Sequence, residues 1–176
     1  MWGVADFGDR DPGSLPPVTR MVLSADGSTT RLLEALVGAS LAVEVVEQWC
    51  STPEPLPIRV RAVLGCLAQD EVVRRRSELR LADRPVSRND VTVSCRDPEL
   101  RSIFTDEHVP IGRGLDAAHR VLGRTVLATG WTSWSPDGDG EIDCVYKEYV
   151  LTDPSDRPVA HIRERFNPLH VPAGVR

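Results

Sequence analysis

Near the end of the chain, Pro158 to Phe166 reads as an ordinary half-buried strand except that it sets a carboxylate among its apolar residues. Successive side chains of a strand point to opposite faces, so Ala160, Ile162, Glu164 and Phe166 share one face and His161, Arg163 and Arg165 the other. Glu164 is thereby aimed into a core or a cavity. An ionised carboxylate out of water is costly unless a salt bridge, hydrogen bonds, a raised pKa or a ligand compensates. Whatever fold the chain adopts has to supply one of these.

The 176 residues suit one domain, large enough to bury a core without disulfide or metal staples. A composition 41% hydrophobic and 27% charged is that of a globular protein. The formal charge of −5 argues against nucleic acid as a partner, while leaving room for a local basic patch. No run of about 18 apolar residues exists, so no membrane span is expected. The start of the chain is neither basic nor an apolar signal segment, which predicts a cytoplasmic location. Cys50, Cys66, Cys95 and Cys144 are scattered without C-x-x-C spacing and read as reduced structural thiols; no metal site is expected. Lys147, the only lysine against many arginines, reads as a coding bias.

Residues 1–16 carry Gly, Asp and Pro with little apolar periodicity and predict a flexible arm, followed by a single domain over 17–170 and a tail over 171–176. Ser28 or Thr29 can cap a helix that Gly38 stops. A strand follows from Leu41 towards Trp49, then a proline-rich connection over 51–57 and a stretch over 58–68 that fits neither period. Residues 72–81 and 86–95 read as a hairpin turning at Asp83-Arg84-Pro85. Asp97-Pro98 starts a short helix reaching about Phe104, and another helical turn is expected near Leu115. Residues 119–131 read as a strand, 135–142 as an exposed acidic loop, and 144–151 with 158–166 as a last hairpin. Hairpins separated by helices predict an α+β domain, an antiparallel sheet of about six strands flanked by helices.

Counting by twos along the first hairpin puts Arg75 with Val73, Ser77, Leu79 and Leu81, and Arg74 and Arg76 with Glu78 and Arg80. Arg75 is therefore the inward arginine, suited to grip a carboxylate with two parallel hydrogen bonds. An internal Arg75–Glu164 salt bridge is the alternative; Arg74 and Arg76 should be solvated. Asp26-Gly27-Ser28-Thr29-Thr30-Arg31 is a helix start whose N–H groups could meet an anion, and Pro110-Ile111-Gly112-Arg113 a turn that could approach a ligand closely because Gly112 has no side chain. The four histidines lack ligand-like spacing, and His161 should face solvent. Trp131 and Trp134, beside the acidic loop, fit a carbohydrate platform or a loop anchored by aromatics.

Taken in order, Asp-Gly-Ser-x-Thr-Arg-x-Leu-Glu (26–34), the valine-rich strand, the arginine-bearing hairpin, Pro-Ile-Gly-Arg (110–113) and the final Glu-x-Phe (164–166) resemble the chorismate pyruvate-lyase family over roughly residues 18–168. The resemblance implies a chorismate lyase-like fold and a cofactor-independent, metal-free elimination of pyruvate from chorismate to give 4-hydroxybenzoate. By that resemblance Arg75 and Glu164 are the catalytic pair, with Arg75 holding the ring carboxylate and Glu164 meeting the ring hydroxyl. Thr29, Ile111 and Gly112 would assist in binding the anionic substrate, with Arg76 the alternative arginine. Arg88, Asn89, Asp90 and Arg163 depart from the family's pattern and suggest a diverged enzyme of specialised metabolism as a second reading. The same fold also resembles the effector-binding domain of GntR-type transcription regulators, which gives a third: a non-catalytic module for small carboxylates. Such domains follow a winged helix, and residues 1–16 are too short for one, which counts against the third reading.

Overall fold

The computed structural model describes residues 12–94, 96–136 and 140–174. It is α+β, as expected. One antiparallel sheet holds β1 (Ala42–Ser51), β2 (Val72–Leu81), β3 (Arg84–Ser94), β4 (Gly123–Trp134), β5 (Ile142–Thr152) and β6 (Pro158–Phe166), in the spatial order β1-β2-β3-β6-β5-β4. The last strand is inserted between β3 and β5. Glu164 therefore sits at the middle of the sheet, opposite Asn89 on one side and Lys147 on the other.

Five helices surround the sheet among the described residues: α1 (Pro17–Ser24), α2 (Thr29–Val37), α3 (Ile58–Leu64), α4 (Pro98–Thr105) and α5 (Ile111–Ala117). Local chemistry starts and stops the two best-marked ones. The Ser28 hydroxyl accepts the Arg31 N–H at the start of α2, and Gly38 ends it at φ 69°. The Asp97 carboxylate accepts from the Glu99 and Leu100 N–H groups at 2.9 and 3.1 Å, with Pro98 in the first turn of α4. The sequence reading did not anticipate α1, which has no side-chain cap and is held by burial of Thr19, Val22 and Leu23. Nor did it settle α3, whose Val60 and Leu64 pack with Leu56 and Val72.

Two boundaries differ from expectation. The β2–β3 turn falls at Ala82 and Asp83, with Ala82 at φ 50°, because Arg84 and Pro85 already pair with Leu81 and Arg80. The strand expected from His119 begins at Gly123, since α5 runs to Ala117 and His119 has a left-handed φ of 53°. Parts of the expected arm and tail are packed: Leu15, Val171 and Ala173 join the cluster around Phe166, and the Thr19 hydroxyl donates to the Pro172 carbonyl at 2.6 Å. Residues 1–11, Cys95, 137–139 of the acidic insert and 175–176 lie outside the described residues.

The two faces of the sheet differ. On the inner face α1 and α2 pack with Leu79, Val145 and Phe166, and α4 and α5 pack with Val73, Val91 and Ile162. The outer face is covered in part by α3 and otherwise carries a row of register partners, Glu47, Arg76, Asp90, Arg163 and Glu148, alternating in charge from strand to strand. Opposite charges directly across a strand pair are favourable. Arginines on this face also lie over rings, Arg74 over Trp49 at 4.9 Å and Arg163 over Tyr146 at 4.2 Å. Among the described residues no helix is long and apolar enough to cross a membrane.

Because α4 is started by one carboxylate that also pairs with Arg120, Asp97→Ala is expected to lower stability by about 1 kcal/mol. Urea unfolding measures this; an unchanged midpoint would contradict the capping account.

Candidate functional site

Between the two inner clusters, the sheet and the starts of α2 and α5 enclose a pocket with about 520 Å³ of atom-free space, its mouth included, of which about 50 Å³ admits the centre of a water molecule. It is a tight hollow. Val43, Leu79, Val91, Leu115, Leu151 and Ile162 make its walls apolar, and Arg75, Arg124, Glu164, Tyr149, Asn89 and Thr29 bring polar groups to it.

Arg75 reaches the pocket from β2 and is 1% exposed. Its Nη1 donates to the carbonyls of Phe104 and Asp106 at 2.9 and 2.7 Å, at the end of α4, where carbonyls have no helical partner. Its Nε and Nη2 are buried and have no hydrogen-bond partner among the described residues. Burial holds its pKa below the usual arginine value, opposed by Asp106 and Glu107 outside the pocket; a guanidinium nevertheless stays charged in proteins. The alternative of an internal Arg75–Glu164 salt bridge is not adopted. Both residues line the same pocket instead.

Glu164 is 2% exposed. The Ser87 hydroxyl donates to its Oε1 at 2.8 Å, and the Tyr149 hydroxyl lies at the long limit of a hydrogen bond, 3.5 Å, from Oε2. Burial pushes its carboxyl up; Lys147, the Ser87 hydroxyl, Arg124 and Thr29 pull it down. Thr29 Oγ1 is close enough to influence Glu164 and Tyr149 but makes no hydrogen bond of regular geometry.

Two cations escaped the sequence reading. Lys147 is fully buried, its Nζ donating to the Val22 and Ala25 carbonyls at the end of α1 at 2.9 and 3.0 Å. Burial pushes its pKa down to about 8 against the pull of Glu164. Alternation along β5 places it with Val145, Tyr149 and Leu151, the signal that would have found it. Arg124, on β4, stacks over the Tyr149 ring at 4.5 Å, and its Nε and Nη1 are buried without a partner.

Of the anticipated residues, Glu164, Arg75, Thr29, Ile111 and Gly112 all line the pocket. Arg76 does not: it lies on the outer face, paired with Glu47 at 3.0 Å. Arg88, Asp90 and Arg163 share that face through their register with Glu78, Arg76 and Glu148. Asn89 alone among the departures lines the pocket, its Nδ2 donating to the Ser87 hydroxyl at 3.4 Å. His161, expected to face solvent, is buried on the outer face with Nε2 2.7 Å from Glu148, a carboxylate also paired with Arg59. Burial alone would raise the Glu148 pKa, but His161 and Arg59 bring it down. Trp131 donates to the Ala173 carbonyl at 2.8 Å and Trp134 is buried beneath Arg88, so both anchor the hairpin rather than form a platform. Among the described residues no group of three His, Cys, Asp or Glu side chains could hold a metal ion.

No protein-family model and no curated protein sequence matches the chain. Solved structures do. PhnF from Mycobacterium smegmatis matches with a TM-score of 0.64 and 16% identity over 84% of this chain and 67% of that one. The effector domain of PhnF gives 0.59 and 18% over 80% and 88%. A GntR-family transcriptional regulator from Enterococcus faecalis gives 0.55 and 11% over 76% and 99%. The chain spans about two-thirds of PhnF and 61% of YydK from Bacillus subtilis. These likenesses establish the fold, and they correct the leading expectation. The neighbours are regulators and their effector domains, not lyases, so the chorismate-cleaving assignment, its enzyme class and its pyruvate and 4-hydroxybenzoate products are withdrawn.

Lys147 titrates near pH 8 in the folded chain against an ordinary 10.5. Between these values the unfolded chain binds a proton that the folded one lacks, so this group makes stability rise with pH across that window. As the only lysine, it should show a single Cε NMR titration midpoint near 8; a midpoint above 10 would contradict the burial account. A methyl on Gly112 would lie 2.8 Å from the Ser28 Oγ and 3.2 Å from the Thr30 Oγ1. Gly112→Ala is therefore expected to displace the α2 cap, costing about 1 kcal/mol in thermal or urea unfolding, and an unaltered stability would show that α5 does not press on α2.

Proposed function

We propose that this chain is a non-catalytic binding module for a small anionic molecule, of the effector-sensing kind. The observation that carries the reading is Arg75, a nearly inaccessible guanidinium lining a tight pocket, with Nη1 tied to backbone carbonyls and its Nε and Nη2 buried and unpartnered among the described residues. Leaving a buried charge unpaired is strongly destabilising, whereas a carboxylate or phosphate arriving at that edge would complete a charge-assisted fork. Glu164 acts in this reading as a hydrogen-bond acceptor held by Ser87, and Thr29, Ile111 and Gly112 as the mouth of the site. Arg75 and Glu164 thus keep their place as binding groups, without a catalytic role. The effector domain of PhnF supports the reading by its shape. A cytoplasmic location fits it. The net charge is −5 and, among the described residues, the outer face alternates in sign, so no nucleic-acid partner is part of this reading.

Calorimetry and thermal-shift measurements with benzoate, succinate and inorganic phosphate test it. At least one of these anions is expected to bind and raise the melting temperature, with Arg75→Gln weakening that binding tenfold or more, about 1.4 kcal/mol. Absence of binding by all three, or binding indifferent to Arg75→Gln, would overturn the anion reading. Release of pyruvate from chorismate would overturn the non-catalytic half.

A further inference from the structure

Arg75 is not the only guanidinium with unused donors at this pocket. Arg124 enters from the far side, its guanidinium carbon lying over the Tyr149 ring at 4.5 Å from the centroid. Its Nε and Nη1, on opposite sides of the Nε–Cζ bond, are buried and without a partner among the described residues. In the sheet order β1-β2-β3-β6-β5-β4, Arg75 on β2 and Arg124 on β4 are four strand spacings apart, about 19 Å at the backbone. Between them lie the apolar side chains of Val91, Ile162 and Leu151. The pocket therefore has a guanidinium at each end, with hydrocarbon between them and Glu164, Asn89 and Tyr149 beside it.

The charges point the same way. Three cations, Arg75, Arg124 and Lys147, bear on the pocket or on its carboxylate, against Glu164 alone inside it. Lys147 spends two donors on the Val22 and Ala25 carbonyls, and Glu164, one carboxylate against three cations, feels the charges of Lys147 and Arg124 but hydrogen-bonds to neither arginine's open donors. The carboxylates nearest Arg75 from outside do not either: Asp106 accepts the N–H groups of His108 and Val109 at 2.7 and 3.0 Å, and Glu107 acts only at a distance. A monoanion on Arg75 would still leave buried Arg124 donors unsatisfied in a low-dielectric site, which is costly.

We infer that the ligand of this pocket is a small dianion, with one anionic group at each end of an apolar body, the first held by Arg75 and the second by Arg124. The inference rests on the small-anion reading of the site and narrows it to a ligand class. Arg124 becomes the residue that selects dianions over monoanions of the same body.

Two matched probe pairs test it, benzoate against terephthalate and butyrate against succinate, titrated calorimetrically into the wild-type chain, Arg75→Gln, Arg124→Gln and Arg124→Lys. In the wild type, the dicarboxylate of at least one pair is expected to bind tenfold or more tighter than its monocarboxylate. Arg124→Gln should bring that ratio close to one, Arg124→Lys should retain part of it, and Arg75→Gln should weaken both members. Circular dichroism of each variant verifies folding, and the lysine variant keeps the test decisive if the glutamine one unfolds. A wild-type ratio near one, with monocarboxylate still bound through Arg75, would overturn the dianion inference and leave the anion reading standing. A ratio that survives Arg124→Gln would also overturn it, by showing that another group holds the second charge. Failure of every probe to bind would instead remove the underlying reading.

Discussion

The hydrogen bonds from Arg75 Nη1 to the Phe104 and Asp106 carbonyls fix the geometry on which the site depends. They satisfy carbonyls at the end of α4 that the helix itself cannot, and they lock a long side chain in one direction across the inner face. One edge of the fork is thereby committed to the scaffold. The other, Nε and Nη2 of a residue that lines the pocket, is answered by no protein group among the described residues. A guanidinium can be held in this way because its donors are arranged in a rigid plane, whereas a lysine ammonium turns freely towards nearby carbonyls, as Lys147 does to two at the end of α1.

The rest of the fold accommodates that charge and the carboxylate placed at the sheet's centre. Strand β6, last in sequence, is inserted between β3 and β5, so Glu164 is flanked by Asn89 and Lys147 and receives a hydroxyl from Ser87, the residue opposite Phe166. Apolar clusters under α1 and α2, and under α4 and α5, close the pocket from two sides. The outer face does without a full hydrophobic cover by pairing opposite charges from strand to strand and laying arginines on rings.

Much of this was legible in the sequence, for a definite reason. Period-two alternation alone set Glu164 and Arg75 on the inward faces of β6 and β2, and the Asp97-Pro98 pair announced α4. The same alternation would have exposed Lys147, had its singularity not been attributed to coding. Arg124 was harder to see, because the strand containing it starts four residues later than its composition suggests, after the left-handed His119. Helix α1 has no capping side chain, and only tertiary burial reveals it.

The lyase expectation failed for an instructive reason. Two of the motifs behind it, Thr-Arg-x-Leu-Glu and Pro-Ile-Gly-Arg, prove to be packing devices: Glu34 pairs with Arg113 and accepts the Leu41 N–H at 2.9 Å, while Gly112 lets α5 approach the cap of α2. They specify a scaffold that enzymes and sensors can share, so their presence by itself does not assign a reaction. The unpartnered edge of Arg75 is the feature that speaks to function. NMR observation of the Arg75 Nε–Hε group during titration with succinate or benzoate reports on it most directly. The account predicts a downfield Hε shift and slowed solvent exchange as the anion completes the fork; an anion that binds while the Arg75 signal stays unmoved would contradict it.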